Sequence, residues 1–153
     1  MYKIKLMNKL IIFVIAILNL GTAVAQDWQT DFAVAKERAV LENKPIILVF
    51  QGSDWCAPCI KLDREVWGTE YFKTYAKDHF IMLKADFPRK KTNALPDMQT
   101  QANAKLAEIY NKNGYFPFVV MLDSEGKVLG ETGYKKNSPE EYTNELNAFI
   151  KPF

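Results

Sequence analysis

The sequence predicts an α/β domain in which buried strands alternate with amphipathic helices. Two short, mainly apolar runs, Pro45–Phe50 and Phe80–Asp86, are typical of strands that are covered on both faces. The segments around them repeat apolar residues at the spacing of a helix surface. A third apolar run, Phe118–Leu122, precedes a short turn and a fourth run, which indicates a hairpin. This alternation predicts one sheet covered by helices.

The first half of the chain predicts a helix, a strand and a second helix. Phe32, Ala35, Ala39 and Val40 recur at helical spacing, so a helix is expected within Asp27–Asn43. The strand Pro45–Phe50 then ends at the polar turn Gln51–Asp54. From Cys59 onward, apolar residues alternate with charged ones in a helical pattern that runs toward Lys77. Gly68-Thr69 is expected to interrupt this second helix.

The second half predicts a loop, a helix and a closing hairpin. Pro88 ends the second strand, and Arg89–Gln99 is a polar loop. A helix is expected at Ala102–Lys112, with Leu106 and Ile109 among the residues of its apolar face.

The hairpin joins Phe118–Leu122 to Lys127–Glu131 through the turn Asp123–Gly126. Ser138 precedes a proline and two glutamates, which is typical of the N-cap and first turn of a final helix.

The first 25 residues have the pattern of a secretory signal peptide. Three lysines precede Leu10–Leu18, an unbroken apolar run of nine residues, and Ala23–Ala25 supplies the small residues of a cleavage site. Nine residues are too few to span a bilayer, which needs about 20, although an uncleaved N-terminal anchor is the alternative. We therefore predict a signal peptide at residues 1–25, cleavage near Ala25 and one domain at residues 26–153, periplasmic or secreted and not inserted in the membrane.

The charge and metal-ligand content exclude several function classes. Without the three leader lysines, the 20 basic residues of the chain become 17, against 18 acidic residues, so the mature protein is near neutral. This balance predicts no nucleic-acid partner, and the basic cluster Arg89–Lys91 is interpreted as a solvated loop. Two cysteines and the single histidine, His79, are too few for a structural zinc site of four ligands, so no metal or cofactor is expected.

The two cysteines lie in Trp55–Cys59, at the turn from the first strand into the second helix. A helix N-terminus carries free N–H groups and a partial positive charge, which stabilise a thiolate. With Cys56 near the N-cap, Cys59 lies about one turn into the helix, where its N–H and thiol point back at Cys56. This polarity predicts that Cys56 is the more exposed, attacking thiol and that Cys59 is the resolving thiol. An inert disulfide is the alternative, although closing so short a loop stabilises a fold by only about 2 kcal/mol.

At this point the chain resembles the thioredoxin family, and in particular its exported bacterial members. The resemblance covers the whole mature sequence and depends on Trp55–Cys59 at a helix start, on Phe116-Pro117 before a strand, and on the hairpin and final helix. It implies a thioredoxin fold, with a central mixed four-stranded sheet flanked by helices and a leading helix. It also implies that Cys56 and Cys59 are catalytic, that Pro117 is a cis-proline, and that Trp55, Phe116 and Pro117 contact the substrate.

The chain departs from the family pattern in its support for the cysteines. Members often keep a buried carboxylate beneath the motif, with a lysine partner, and the matching positions are expected to be Phe50 and Met82. Exchanging both members of an ion pair can be neutral for stability. It leaves open whether Cys59 loses its proton to water, to Asp54, to Lys84 or to another neighbour.

Two further departures concern the motif and the loop after the second strand. Ala57-Pro58 lacks the histidine of strongly oxidising relatives, which implies a more reducing couple. The loop Pro88–Gln101 is longer than in compact members, and it is either a tolerated surface insertion or a docking segment.

These expectations combine into a monomeric, exported thiol-disulfide oxidoreductase that reduces protein disulfides. Its expected partners are disulfide-containing exported proteins and an envelope electron donor. Two alternatives remain open: a binding module that keeps the fold with a passive disulfide, and a docking subunit of a membrane electron-transfer system.

Overall fold

A mixed five-stranded β-sheet forms the centre of the protein, whose computed structural model describes residues 26–150. The sheet order is β1-β3-β2-β4-β5, in which β1, β3 and β2 are parallel to one another and β4 runs antiparallel to β2. The edge strand β5 pairs antiparallel with β4 and therefore runs in the same direction as β2. The strands are β1 (Trp28–Gln29), β2 (Ile46–Gln51), β3 (Ile81–Asp86), β4 (Phe118–Leu122) and β5 (Val128–Gly133).

Helices cover both faces of the sheet. Five α-helices, a π-helical segment and one 3-10 turn are present in residues 26–150: α1 (Phe32–Glu42), α2 (Ala57–Leu62), the π segment (Asp63–Trp67), α3 (Glu70–His79), the 3-10 turn (Lys91–Asn93), α4 (Asp97–Tyr110) and α5 (Pro139–Ala148). One core joins the sheet to α2, the π segment, α3 and α5. A second core joins the opposite face to α1 and α4.

The central strand β2 fixes where the functional loops lie. All six of its residues are buried, because it pairs with β3 on one side and β4 on the other and carries helices on both faces. Its last residue, Gln51, pairs with Asp86, the last residue of β3. Two parallel strands that end side by side bring the loops that follow them together at one edge of the sheet. The loop with the cysteines therefore lies beside the loop that begins at Phe87.

The predicted fold class is confirmed, with one strand more than expected. Trp28-Gln29 was expected to belong to the first helix, but these residues form β1 on the outer edge of β3. The helix begins only at Phe32, because the side chain of Asp31 accepts hydrogen bonds from Ala33 N and Val34 N and so caps it.

The helix α4 differs from its prediction at its start and in its apolar face. It begins at Asp97, five residues before the expected start at Ala102, which shortens the polar loop. Leu106 is buried as expected, but Ile109 is exposed, as is Val40 on α1. Helical spacing therefore predicted both helices correctly, but it assigned one exposed residue in each helix to the buried face.

The prediction that Phe50 lies beneath the cysteine motif is wrong. Phe50 packs on the sheet face that contacts α1 and α4, whereas α2 covers the other face. Successive strand residues point to opposite faces, so the β2 residues directed toward α2 are its neighbours Val49 and Gln51. Met82 does lie on the α2 face, two residues before Lys84 on β3.

The predicted interruption of the second helix is confirmed at Gly68-Thr69. The chain leaves α2 through the π segment, and Gly68 N donates to Asp63 O at 2.6 Å. Thr69 then caps α3 by accepting a hydrogen bond from Phe72 N. The π segment buries Trp67, whose ring packs edge-on against Phe72 and Tyr142 and so anchors the motif helix to the core.

The signal peptide predicted at residues 1–25 lies outside the described residues. Within residues 26–150, no helix has both the length and the apolar character needed to cross a bilayer.

The capping box of α5 generates a stability prediction. The Ser138 side chain accepts from Glu141 N, and the Glu141 side chain accepts from Ser138 N, so the predicted helix start is confirmed. Ser138→Ala removes the first of these bonds and is expected to lower the free energy of unfolding by about 1 kcal/mol, measured by urea denaturation. Ser138→Asp keeps an acceptor and should stay near wild type. Equal stability of the alanine variant and wild type would contradict this account of the cap.

Candidate active site

The two cysteines form a disulfide at the start of α2. Cys56 is the N-cap residue and Cys59 is the third residue of the helix, and their Cα atoms are 5.2 Å apart. The backbone N–H of Cys59 donates to Cys56 Sγ over 3.3 Å, which is the geometry that the helix-start interpretation predicted. Pro58 occupies the first turn, where a missing N–H costs no helical hydrogen bond.

A tight turn after β2 places Cys56 at the N-cap of α2. Gly52 O accepts hydrogen bonds from Trp55 N and Cys56 N, at 3.3 and 2.9 Å. A side chain at residue 52 would overlap the indole ring of Trp55, so glycine is required there for a steric reason. Ser53 is held by Asp86 at the end of β3, which accepts from Ser53 N and Ser53 Oγ at 2.9 and 2.7 Å.

The expected difference in exposure between the two cysteines is absent from the disulfide form. Cys56 and Cys59 are each 4% exposed. Ala57 and Pro58 between them are exposed and form the outer surface of the site. The two sulfurs differ instead in their surroundings, because Cys56 Sγ accepts a backbone hydrogen bond and Cys59 lines a cavity.

That cavity has a volume of about 220 Å³ and lies on the α2 face of the sheet. Besides Cys59, it is lined by Gln51 from β2, Lys84 from β3, Asp63 at the start of the π segment, and Ser53 and Ile60. Lys84 Nζ also lies 4.4 Å from the ring centroid of Trp28. Of the two side chains named from sequence as candidate proton acceptors, Lys84 therefore shares a cavity with Cys59. Gln51 and Asp63 were not predicted from the sequence, although Asp63 lies four residues after Cys59, a spacing that places two residues on one face of a helix.

The other candidate proton acceptor, Asp54, binds the loop that follows β3. Its carboxylate accepts hydrogen bonds from Arg89 N, Lys90 N and Asn93 Nδ2, each at 2.9 Å. The hydrogen bond from Arg89 N and those from Lys90 N and Asn93 hold the pKa of Asp54 below its ordinary value. A carboxylate that is stabilised as an anion by three donors is a poor proton acceptor, so Asp54 acts as a clasp for the loop after β3.

Two of the predicted substrate-contact residues come together beside the disulfide. The rings of Trp55 and Phe116 lie 5.4 Å apart, centroid to centroid, and Phe87 packs edge-on against Phe116. The Phe116-Pro117 peptide bond is cis, as the family resemblance implied, and Pro117 is buried. Trp55 is half-buried and its Nε1 donates to Phe87 O over 2.7 Å.

Arg89 joins this aromatic cluster, which the sequence gave no sign of. Its guanidinium carbon lies 3.7 Å from the ring centroid of Trp55, so the cation stacks on the indole face. Phe87 and Arg89 follow β3 by one and three residues and are separated from the motif by about 30 residues. Only the side-by-side ends of β2 and β3 bring them to the site.

No group of three or more histidine, cysteine, aspartate or glutamate side chains arranged to hold a metal ion occurs in residues 26–150.

Comparison with known proteins places this site in a family. A family model described as thioredoxin-like matches residues 27–124. The disulfide bond reductase DsbH of Chlamydia pneumoniae is 36% identical over 124 residues, which cover 81% of this chain and 72% of that protein.

Solved structures agree with this assignment. The structure titled DsbH Oxidoreductase superposes with a TM-score of 0.77 at 35% identity, covering 88% of this chain and 94% of that one. A disulphide isomerase from Xylella fastidiosa Temecula1 superposes with a TM-score of 0.58 at 22% identity, over 78% of this chain and 88% of its own, and at that identity it supports the fold alone. With a disulfide between the two cysteines of its motif, the chain belongs to the thioredoxin-like family and is a thiol-disulfide oxidoreductase of that family.

Proposed function

We propose that the mature protein, residues 26–153, is exported and reduces disulfide bonds in other exported proteins. The observation that carries this proposal is the unequal placement of the two sulfurs at the start of α2. Cys56 Sγ accepts the Cys59 N–H at the positive end of the helix, which stabilises a thiolate on Cys56. Cys59 is one turn further in and lines a small cavity.

The reaction then has two exchange steps. The Cys56 thiolate attacks one sulfur of the client disulfide, a mixed disulfide forms and the other client sulfur leaves as a thiolate. Cys59 loses its proton and attacks Cys56 Sγ, which breaks the mixed disulfide, forms the Cys56–Cys59 disulfide and releases the client with both sulfurs reduced. An envelope dithiol donor returns the two electrons to the protein.

The reducing direction is supported by the motif and by a relative. Ala57-Pro58 places no imidazolium between the cysteines, so the reduced form is less favoured than in strong oxidants. The protein from Chlamydia pneumoniae that is 36% identical to this chain is named a disulfide bond reductase. Export is supported by the signal-peptide pattern at residues 1–25.

Trp55, Phe116 and Pro117 are proposed to hold the client. The indole and phenyl rings supply apolar contact next to Cys56, and the backbone of Phe116 can pair with an extended client segment. In this role the cluster serves any unfolded or extended polypeptide.

The proton of Cys59 is proposed to leave through the cavity. Lys84 carries a positive charge there and favours the Cys59 thiolate, whereas Asp63 carries a negative charge and disfavours it. The remaining polar residues of the cavity, Gln51 and Ser53, are uncharged and are able to hold water that accepts the proton. The proposed role of Lys84 is thus to place a positive charge near Cys59.

The roles of the two cysteines are tested by exchange and trapping. Wild type is expected to turn over a generic protein disulfide with a thiol donor, and Cys56→Ser to be inactive. Cys59→Ser should accumulate covalent adducts through Cys56, which non-reducing electrophoresis and mass spectrometry detect. Equal inactivity of wild type and Cys56→Ser would favour a passive binding module, and trapping of one partner alone would favour a docking subunit.

The direction of electron flow is tested by the reduction potential of the pair. Equilibration with glutathione or dithiothreitol, followed by thiol counting, is expected to give a value near the roughly −270 mV of reducing thioredoxins. A value near the roughly −120 mV of strong periplasmic oxidants would overturn the assignment as a reductase.

The cavity is tested by two substitutions with opposite expected signs. In a mixed disulfide of Cys56 with a chromogenic thiol, Lys84→Met should slow release of the thiol about fivefold at neutral pH, the effect of losing about 1 kcal/mol of charge stabilisation. Its rate should recover at alkaline pH, where Cys59 ionises without help. Asp63→Asn should move the pH profile toward acid. Unchanged profiles in both variants would show that neither charge acts on Cys59.

A further inference from the structure

The loop that follows β3 presents three cations beside the reactive disulfide. Arg89, Lys90 and Lys91 are all exposed, and we call them the basic ridge. Within residues 26–150, none of the three has a carboxylate within ion-pair distance, although six ion pairs occur elsewhere. Three cations without ion-pair partners on one short segment favour a local positive field even in a protein that is near neutral overall.

The ridge is held firmly in place against the motif. Asp54, two residues before Cys56, accepts hydrogen bonds from the backbone N–H groups of Arg89 and Lys90 and from the side chain of Asn93. Trp55 Nε1 donates to Phe87 O at the start of the same loop. Lys91 begins the 3-10 turn that closes it. The backbone that carries the ridge therefore has a defined course, and the Arg89 side chain is held on Trp55 before a partner binds.

The nearby carboxylates do not cancel the ridge at its outer surface. Asp54 accepts from the backbone of the loop, and Asp86 accepts from Ser53 N and Oγ. Both carboxylates are thus hydrogen-bonded by groups other than the ridge side chains, while the three ridge residues are exposed. Arg89 lies flat on the indole of Trp55, which leaves the edge of its guanidinium free to donate two parallel hydrogen bonds to a carboxylate.

We propose that the basic ridge selects disulfide-containing clients that carry acidic residues close to the cysteine attacked by Cys56. This inference rests on the proposed reductase function and adds a substrate class to the same site. A polypeptide lying across Trp55 and Phe116 passes next to Arg89, so an aspartate or glutamate a few residues from its disulfide meets the ridge. Charge complementarity of this kind acts mainly on the rate of encounter.

The test uses three synthetic peptides with the same internal disulfide, flanked by glutamate, serine or lysine. The pre-reduced protein is mixed with each peptide, and the second-order rate constant of reduction is measured at low ionic strength and in about 1 M salt, where the screening length is about 3 Å. Wild type is expected to reduce the acidic peptide about tenfold faster than the neutral one at low salt, with the preference lost at high salt.

The double variant Lys90→Gln/Lys91→Gln isolates the charge. It keeps the backbone N–H groups that bind Asp54 and leaves Arg89 stacked on Trp55, so the loop stays in place. We expect its rate constant for the acidic peptide to be about fivefold lower than that of wild type, and its rate constant for the neutral peptide to be unchanged. Arg89→Gln should add to this loss.

A matched control removes two exposed lysines from the other end of the sheet. Lys127 lies in the turn after Leu122, which pairs with Ile46 at the start of β2, and Lys77 lies near the end of α3 before β3 begins. Lys77→Gln/Lys127→Gln should keep the preference for the acidic peptide. A fall equal to that of the ridge variant would show an effect of net charge and overturn the proposal.

Two other results would also overturn it. Equal rates for the three peptides in wild type would remove selection by charge, and binding of the ridge to anionic lipid vesicles with no discrimination between peptides would assign the ridge to a membrane surface. Reduction of the neutral peptide by wild type, abolished in Cys56→Ser, keeps these failures distinct from a failure of the reductase function. Phe116→Ala serves as a further reference, since it should slow all three peptides alike.

Discussion

The parallel pairing of β2 with β3 is the constraint on which the site depends. β2 is buried on both faces and along its whole length, so its position leaves no freedom of rotation or register. Because the two strands end together at Gln51 and Asp86, the turn with the cysteines and the loop with Arg89 start from fixed points about one strand spacing apart. The hydrogen bonds from Ser53 to Asp86 and from the loop to Asp54 then tie these two segments together.

The reactive pair depends on this arrangement for its asymmetry. The turn at Gly52 sets Cys56 as the N-cap of α2, and the buried Trp67 holds the far end of the same helical stretch in the core. A helix fixed at both ends keeps the N–H of Cys59 aimed at Cys56 Sγ. The difference between the two thiols is thus a property of the whole α2 face of the sheet.

Much of this was accessible from the sequence, and the parts that were not have a common physical cause. Local patterns located the strands, the break at Gly68-Thr69, the cap at Ser138 and the cysteines at a helix start, since each depends on neighbours within a few residues. The two-residue strand β1 was missed because pairing with β3 defines it, and two residues show no periodicity. The prediction that Phe50 lies beneath the cysteines was wrong because the position of a residue along a strand does not by itself determine which face of the sheet its side chain occupies. Arg89 reaches the cysteines only through strand pairing, which no single segment of sequence records. Asp63 instead lies four residues after Cys59, one helical turn along the same stretch.

The hydrogen bonds to Asp54 fix the backbone course of the neighbouring loop largely independently of its side chains. Two of these three hydrogen bonds come from backbone N–H groups, which every residue except proline supplies. The side chains at positions 90 and 91 are consequently able to change while the loop keeps its course. Under the proposed role of the basic ridge, substitutions there would change which clients are preferred without altering the backbone contacts that support the cysteines.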